Sequence, residues 1–506
     1  MERRTFLRLL AAGAAASALP PFLFSSETEL PTLHVRLDGS HPLGTLPADF
    51  TGLSYESLEL FNPNFFSPAN QALVGFFRRL GRQGVLRLGG NTSEYMAWMP
   101  DGKTPHRTTG RFDPADKLYL REHSEIPPES LRNLRGFLEA TGWSCIFGLN
   151  LGTGTPEEAA EFAKAAATAL GPKLKALQIG NEPDILHEYG LRPKPEQWGF
   201  KEFAAEWQQY FDAIRKEVPE APFAGPDSCV FGRWVQEFAE KFHGQTVLLS
   251  SHHYNEGPPP DPTVTLERLL KPNEGLLKDL KTMGEVSRSS GLPFRMTEGN
   301  SCYRGGKHGV SDTAGAALWG LDFMLLLASH GVAGVNLHCV GGTSTRDISD
   351  IDFHQGGYGW YSAIAGNTEN GFLARPLYYG MLLFEQMGGG QLIESAFDLE
   401  QAHLPVGSVT AYGLRAPQGR HRAVLVNKSD TQNLRVELEA GERANQATLL
   451  RLSAPRLDDN TDLTLGAAPV GADGTWQAEH QPVIVAKEGR VEFLLPKASA
   501  VLVTFR

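Results

Sequence analysis

The chain has 506 residues, of which 41% are hydrophobic and 21% are charged, as expected for a soluble globular protein with one large domain and a smaller one. Its formal charge of −11 argues against nucleic acid or an anionic membrane surface as the main partner, because neither would be attracted to a negative protein. The glycines and prolines are spread along the chain and indicate many turns rather than a low-complexity tract.

The first 30 residues have the pattern of a bacterial export signal. Arg3 and Arg4 precede an apolar run at 9–19 that contains the small residues Ala16 and Ala18. The paired arginines favour the twin-arginine route. An uncleaved membrane anchor is the alternative, although the run is short for a bilayer. We expect a periplasmic or secreted protein without stable membrane association once the signal is removed.

The four cysteines lack the clustering of a metal site, and each lies in or near the end of a predicted strand. Export permits disulfides, but a protein folded before twin-arginine export has less opportunity to depend on them. We therefore expect free, buried thiols at Cys145, Cys229, Cys302 and Cys339.

Short apolar runs alternate with helical stretches, such as 156–170 and 312–330, from about residue 50 to residue 387. This alternation predicts a parallel sheet, and eight units predict a (β/α)₈ TIM barrel. The alternative, a doubly wound sheet, lacks its glycine-rich phosphate loop after the first strand. The predicted strands lie at 51–56, 85–89, 143–149, 176–180, 222–226, 247–252, 294–297 and 332–337.

A β-rich pattern with Gly, Pro, Asn and Asp turns follows the barrel and predicts a C-terminal β-sandwich. An alternating strand at 33–37 precedes the barrel, and we expect it to join that sandwich. The predicted division is therefore 1–30 (signal), 31–48 (N-terminal strand), 49–388 (barrel) and 389–506 (sandwich). Predicted strands of the last part lie at 424–426, 434–438, 448–452, 483–486, 490–495 and 501–505.

Two glutamates follow predicted barrel strands. Glu182 comes after the fourth strand in Asn-Glu-Pro, and Glu298 ends the seventh. Active-site residues of such barrels lie at the carboxyl ends of the strands, so both carboxylates are expected at the same mouth. A pair of carboxylates suits general acid/base chemistry on a glycosidic bond.

The motifs around these glutamates resemble those of glycoside hydrolase family 79, a family of clan A retaining glycosidases that includes β-glucuronidases and heparanase-like enzymes. The matching segments cover the barrel, and the likeness extends to the small C-terminal β domain. They are Arg87-Leu88-Gly89-Gly90-Asn91, Ile179-Gly180-Asn181-Glu182-Pro183, and Thr297-Glu298 with Tyr303 and Gly305 downstream.

The resemblance implies that Glu182 is the acid/base and Glu298 the nucleophile of a double displacement. It also implies that Asn181 binds the sugar 2-hydroxyl. Tyr254 resembles the clan tyrosine that hydrogen-bonds the nucleophile, and a packed aromatic is the alternative. The charge on Glu298 would keep Glu182 protonated until the glycosyl-enzyme forms.

Three further polar residues end predicted strands. Arg87 would hold Glu298 ionised, make a structural salt bridge, or do both. Glu56 would accept hydrogen bonds from the sugar 3- and 4-hydroxyls, or serve as a structural acid. His338 would face the site, or be a hydrogen-bonded structural histidine.

Tyr303 and Gly305 match the family positions that contact the carboxylate of a uronic acid. Because glycine lets a backbone amide approach an anion closely, Gly305 fits that role. Arg304, Lys307 and His308 surround the pair, with a solvated basic loop as the alternative. Tyr361 is expected to complete the pocket, and Tyr358 remains a rival for that role.

No metal or other cofactor is predicted. His252 and His253 are adjacent, so they point to opposite faces of a strand and do not readily share one ion with His338. The sequence has neither an HExxH motif nor a Gly-x-Ser-x-Gly nucleophile motif.

The expected function is exo-acting β-glucuronidase activity on a glucuronic-acid-containing glycoside or oligosaccharide. The segment at 91–125, with Lys103, His106, Arg107 and Arg111, either lines an acidic-glycan cleft or closes one end of the pocket. Overall acidity favours exo action over an endo-acting, heparanase-like cleft. A clan A β-xylosidase, an α-L-arabinofuranosidase and an inactive carbohydrate-binding barrel are also compatible with the barrel pattern.

Overall fold

The computed structural model describes residues 30–100, 106–108, 123–341, 359–440 and 444–506. Residues 1–29, which make up all but the last residue of the predicted export signal (1–30), lie outside these ranges, so the signal stays a prediction. Within the ranges, no helix combines the length and the apolar character needed to cross a membrane.

The strands and helices alternate through the first part of the chain and give way to strands after the last helix. The strands are β1 (Thr32–Leu46), β2 (Thr51–Glu56), β3 (Val85–Gly89), β4 (Met96–Trp98), β5 (Arg107–Thr108), β6 (His123–Ile126), β7 (Ser144–Leu149), β8 (Leu174–Ile179), β9 (Phe223–Ser228), β10 (Leu248–Glu256), β11 (Phe294–Cys302), β12 (Val335–Cys339), β13 (Ile364–Asn367), β14 (Gly371–Ala374), β15 (Gly390–Phe397), β16 (Val409–Arg415), β17 (His421–Asn427), β18 (Leu434–Glu439), β19 (Gln446–Ser453), β20 (Thr464–Leu465), β21 (Val483–Val485), β22 (Arg490–Leu495) and β23 (Ser499–Phe505). The α-helices are α1 (Gln71–Arg79), α2 (Pro128–Thr141), α3 (Pro156–Leu170), α4 (Phe200–Glu217), α5 (Val235–Phe242), α6 (Leu266–Leu269), α7 (Glu274–Ser290), α8 (Ala314–Ser329) and α9 (Pro376–Met387).

Eight parallel strands close into a barrel in the order β2-β3-β7-β8-β9-β10-β11-β12. They coincide with the eight predicted runs, so the TIM-barrel prediction is confirmed. The main difference is length: β10 and β11 extend to Glu256 and Cys302, several residues past their apolar runs. These continuations are mostly polar; that of β11 is buried, whereas that of β10 is half-buried up to Glu256. Glu298 therefore lies inside β11, not at its end.

Local sequence explains why the helices between the strands form where they do. In α3, Thr155 and Glu158 make a reciprocal capping box, and Pro156 occupies the first turn, where its missing N–H costs nothing. In the first half of five barrel strands, small and branched apolar side chains form a buried cluster of their own. These core residues are Val85, Ile146, Ala176, Ala224 and Leu248.

The nine C-terminal strands, β15 to β23, form a single ten-stranded sheet with β1 instead of two separate sheets. The sheet curls so that its distant strands share one apolar core, which gives a sandwich-like shape; Val35, Leu449 and Phe493 all belong to that core. As expected, the N-terminal strand joins it: β1 pairs antiparallel with β15 and parallel with β18. The domain boundaries drawn from the sequence stay predictions.

Candidate active site

A cavity of about 460 Å³ opens at the carboxyl ends of the barrel strands. It contains both predicted catalytic glutamates and most of the predicted substrate-binding residues. Arg87 and Asn181 are buried beside it and contact groups that face it. The lining residues are Glu56, Asn91, Thr92, Tyr95, Glu182, Ile185, Glu188, Tyr189, Cys229, Val230, Tyr254, Glu298, Tyr303, Arg304, Gly305, His338, Val340 and Tyr361.

Glu182 has an unusual backbone conformation. It lies just after β8 with φ of 49° and ψ of 50°, in the left-handed region that a residue with a Cβ seldom occupies. Its amide donates to the carbonyl of Asp227 at 3.0 Å, which ties this turn to the end of β9. The surroundings thus hold a conformation that the residue would not adopt alone, as is common at active sites.

Both carboxylate oxygens of Glu298 are hydrogen-bonded. Arg87 Nη1 donates to Oε2 at 2.6 Å, and the Tyr254 hydroxyl donates to Oε1 at 2.7 Å. Burial would raise the pKa of Glu298, but His338, His252 and Arg87, together with Tyr254, lower it to about 2. Glu298 is therefore ionised at neutral pH, the state that a nucleophile requires.

The pKa of Glu182 is shifted in the opposite direction. Burial raises its pKa above the usual value, and the charge on Glu298 adds to that rise, while His252 opposes it. A carboxylate oxygen of Glu182 and one of Glu298 lie within 4.8 Å of each other. This spacing suits a retaining pair, which needs roughly 5 to 5.5 Å between carboxyl groups, and is too short for the roughly 6.5 to 9.5 Å of an inverting pair.

Arg87 is the structural centre of the site. Its guanidinium, which is 1% exposed, donates to Glu298, to Asp227 Oδ2 at 2.6 Å and to Asn181 Oδ1 at 2.7 Å. Its remaining bonds, to Ser54 and Gln178 at 3.2 Å each, complete the set. Arg87 pairs with Glu298 and also bridges several barrel strands, so its contacts are compatible with both alternatives.

Replacing Arg87 with methionine is expected to lower the free energy of unfolding by about 3 to 5 kcal/mol, because two buried carboxylates lose their counter-charge. Urea unfolding followed by circular dichroism measures the change. The matched control is Arg435→Met, which removes an exposed ion pair with Glu492 and should cost less than about 1 kcal/mol. Equal losses for the two variants would contradict this role.

Two residues next to the catalytic glutamates are not among the predicted site residues: Asp227, and His252, which the sequence presents only as a candidate metal ligand. His252 Nδ1 lies 3.0 Å from Glu182 Oε1, and its Nε2 lies 3.1 Å from Asp227 Oδ1. His253 points to the opposite face, as strand alternation predicts, and packs its ring against Phe323. Asp227 could have been found by the rule that found Glu182, because it is a polar residue near the end of a barrel strand.

Glu56 and His338 both face the cavity. Glu56 Oε2 accepts hydrogen bonds from the amide of Thr92 at 2.9 Å and from its hydroxyl at 2.6 Å. His338 lies 3.7 Å from Glu298 Oε2 and 3.7 Å from Glu56 Oε1. Gly90 of the Arg87–Asn91 motif has φ of 73°, in the left-handed region that favours glycine, and a Cβ there would come 2.3 Å from a carboxylate oxygen of Glu56.

Tyr303, Gly305 and Tyr361, which are predicted to bind a uronate carboxylate, lie close together in the cavity around the ring of Tyr254. The ring of Tyr254 lies 6.3 Å from that of Tyr303 and 6.1 Å from that of Tyr361. Gly305, with φ of 81°, accepts a hydrogen bond from the amide of Tyr361 at 3.3 Å. The carboxylate-binding role of these residues stays a prediction.

The expected basic surround of that loop is only partly present. Arg304 lines the cavity, but Lys307 Nζ donates to two backbone carbonyls, those of Asp261 and Val264. His308 bonds Asp312 at 2.7 Å. Of the three side chains, Arg304 is therefore the one that lines the cavity.

Some predicted residues cannot be placed. Tyr358, Lys103 and Arg111 lie outside the described ranges. All four cysteines are free, and three of them are buried; Cys229 is the partly exposed one and lines the cavity.

The polar atoms of Glu182, His252 and Glu298 lie close enough together to form a metal-binding set. Their hydrogen bonds disfavour that use: both oxygens of Glu298 are already occupied, and the Arg87 cation lies 2.6 Å away. One raised and one lowered carboxyl pKa instead suit an acid/base and a nucleophile.

Comparison with family models gave no match. A β-glucuronidase of Aspergillus niger is 26% identical to the chain over 434 residues, which cover 79% of this chain and 73% of the relative.

Among solved structures, the 4-O-α-L-rhamnosyl-β-D-glucuronidase of Fusarium oxysporum 12S, in complex with Rha-GlcA, superposes with a TM-score of 0.70 at 16% identity and covers 94% of this chain and all of that chain (100%). A family 51 arabinofuranosidase of Xanthomonas axonopodis pv. citri gives 0.64 at 14% identity, with coverage of 94% and 100%. These likenesses support the fold, which glycoside hydrolases of different sugar specificity share.

Proposed function

We propose that the chain is an exo-acting β-glucuronidase that removes terminal β-linked glucuronic acid with retention of configuration. The observation that carries the proposal is the Glu182–Glu298 pair: two buried carboxylates within 4.8 Å, one with a raised pKa and one with a lowered pKa. The relative named a β-glucuronidase supports the choice of sugar.

In the first step, Glu298 attacks the anomeric carbon while Glu182 gives its proton to the leaving oxygen, so the glycosidic bond breaks as the C1–Oε bond forms. In the second step, Glu182 takes a proton from water, which attacks C1 and releases Glu298. Tyr254 and Arg87 hold Glu298 in place for the attack. Asn181, fixed by Arg87 and Asn91, binds the 2-hydroxyl, and Glu56 binds the 3- and 4-hydroxyls.

The uronate carboxylate binds between Tyr303, Tyr361 and the amide of Gly305. The support is their placement on one wall of the cavity, where Arg304 contributes the positive charge. Hydrogen bonds from hydroxyls and a backbone amide at a left-handed glycine form a suitable anion site. We also propose that the chain belongs to glycoside hydrolase family 79, on the motifs around Arg87, Glu182 and Glu298.

Aryl β-glucuronide, β-xyloside and α-L-arabinofuranoside distinguish the candidate activities. We expect turnover of the glucuronide with kcat/KM at least about 100-fold above that of the others, since the carboxylate adds charged hydrogen bonds worth about 3 kcal/mol. Turnover of the xyloside or arabinofuranoside alone would overturn the choice of sugar. Absence of turnover on all three would favour a non-catalytic carbohydrate-binding role.

We further propose export through the twin-arginine route, supported by Arg3, Arg4 and the apolar run at 9–19. The final location is then the periplasm or the medium. N-terminal sequencing of protein recovered from those fractions tests the proposal, and an intact N-terminus in a membrane fraction would favour an uncleaved anchor.

A further inference from the structure

One buried carboxylate connects the two catalytic glutamates. Asp227 Oδ2 accepts a hydrogen bond from Arg87 Nη2 at 2.6 Å, and Arg87 Nη1 donates to Glu298 at 2.6 Å. On the other side, Asp227 Oδ1 lies 3.1 Å from His252 Nε2, and His252 Nδ1 lies 3.0 Å from Glu182 Oε1. Asp227 thus contacts both the arginine that pairs with Glu298 and the histidine that pairs with Glu182.

The charges of this cluster balance when Glu182 is protonated. The positive charges of Arg87 and His252 then balance the negative charges of Asp227 and Glu298. Loss of the proton from Glu182 would leave one buried negative charge without a partner, which is costly at a site where these side chains are at most 8% exposed. The resting enzyme is therefore set up as an acid.

The balance reverses in the glycosyl-enzyme. Glu298 loses its charge when it forms the ester, so Arg87 and His252 exceed Asp227 by one positive charge. An ionised Glu182 restores neutrality. We propose that His252, held as an imidazolium by Asp227, is the positioning residue whose charge keeps Glu182 ionised and ready to act as the base of the second step. This inference rests on the proposed double displacement.

The other ionisable groups that face Glu182 do not replace His252. The carboxylate of Asp184 accepts hydrogen bonds from two backbone amides at 2.7 and 3.1 Å, and Arg233 lies 3.5 Å from it. The Cys229 thiol stays protonated because burial raises its pKa. Among the described residues, His252 is the cation hydrogen-bonded to Glu182.

The two adjacent histidines show what sets this charge. Burial lowers the pKa of His253 to about 4, although a hydrogen bond with Asn255 opposes the shift. Burial also acts on His252, but Asp227 and Glu298 outweigh it and raise the pKa to about 10. The imidazolium of His252 therefore depends on its acidic neighbours and not on its exposure.

The test uses His252→Gln and an aryl β-glucuronide with a good leaving group. Removing the cation raises the pKa of Glu182, so kcat at pH 7 should fall about 10- to 100-fold as the second step slows, with a pre-steady-state burst. Raising the pH should restore kcat, and the alkaline limb of kcat/KM should move up by about one pH unit. The matched control, His253→Gln, should leave the acid and alkaline limbs of the pH profile at their wild-type positions.

If kcat and kcat/KM of His252→Gln fell equally and the limbs of the pH profile did not move, His252 would only support the packing of the site, and the inference would be overturned.

A second readout needs no substrate: ¹⁵N NMR of histidine-labelled protein, with His252 assigned by its absence from the His252→Gln spectrum. We expect a charged ring at pH 8, and a lower titration midpoint in Asp227→Asn. A neutral ring at pH 8 in the wild type would also overturn it. Failure of the wild type to hydrolyse any glucuronide would instead defeat the proposed function.

Discussion

The Glu298→Ala variant is expected to hydrolyse an aryl β-glucuronide at least roughly 10⁴-fold more slowly than the wild type, because the covalent step loses its nucleophile. Azide should fit the space left by the carboxylate and attack the anomeric carbon directly. The product would then be the α-glucuronyl azide, of opposite anomeric configuration, because one displacement replaces two. Release of the aryl group gives the rate, and NMR identifies the product.

The matched control for that variant is Glu267→Ala, in which a carboxylate on α6 with a side chain 80% exposed is removed far from the chemistry. It should keep wild-type rates and gain nothing from azide. Near wild-type activity of Glu298→Ala, or a β-configured azide product from it, would contradict the assignment of the nucleophile.

The Glu182→Ala variant is expected to show an effect that depends on the leaving group. Substrates with poor leaving groups need the proton from Glu182, so their kcat/KM should fall roughly 10²- to 10⁴-fold. Activated aryl glucuronides leave without protonation and should lose much less in kcat/KM. A plot of log kcat/KM against the pKa of the leaving group should therefore become steeper.

Azide should rescue the second step of Glu182→Ala and give the β-glucuronyl azide, since Glu298 still forms the intermediate. Glu237→Ala, an exposed carboxylate on α5, serves as the control and should leave the slope unchanged. A uniform loss across all leaving groups would show that Glu182 supports the structure rather than the proton transfer.

The sequence predicted the barrel because burial on both faces leaves a strong apolar signal in each parallel strand. The observed bounds of β2 and β3 match the predicted ones. The strand-end rule then placed Glu182 and Glu298 at one mouth. Where a strand continues into the mouth as polar residues, as β10 does to Glu256, the apolar pattern predicts the end of the strand too early.

The connections among the site residues could not be predicted, because they depend on irregular strand pairing. The register between β9 and β10 shifts at Asp227, and that between β10 and β11 shifts at Thr297. Regular alternation would send Thr297 and Glu298 to opposite faces. The shift instead lets the Thr297 hydroxyl donate to Asp227 at 2.5 Å while Glu298 bonds Arg87.

Local charge in the sequence was also a poor guide to the carboxylate-binding loop. Lys307 is close to Tyr303 in sequence, yet its ammonium group binds the carbonyls of Asp261 and Val264. A long, flexible side chain satisfies whichever acceptor the fold brings near it. Arg304 remains at the cavity, so the predicted anion site keeps one of its three expected cations there.

The most direct test of the account is time-resolved ¹H NMR of an aryl β-glucuronide during hydrolysis by the wild-type enzyme. The Glu182–Glu298 spacing predicts that β-glucuronic acid is released first and that the α anomer appears only as the free sugar mutarotates. Initial release of α-glucuronic acid would contradict the double displacement, and failure to cleave the glucuronide would contradict the proposed activity.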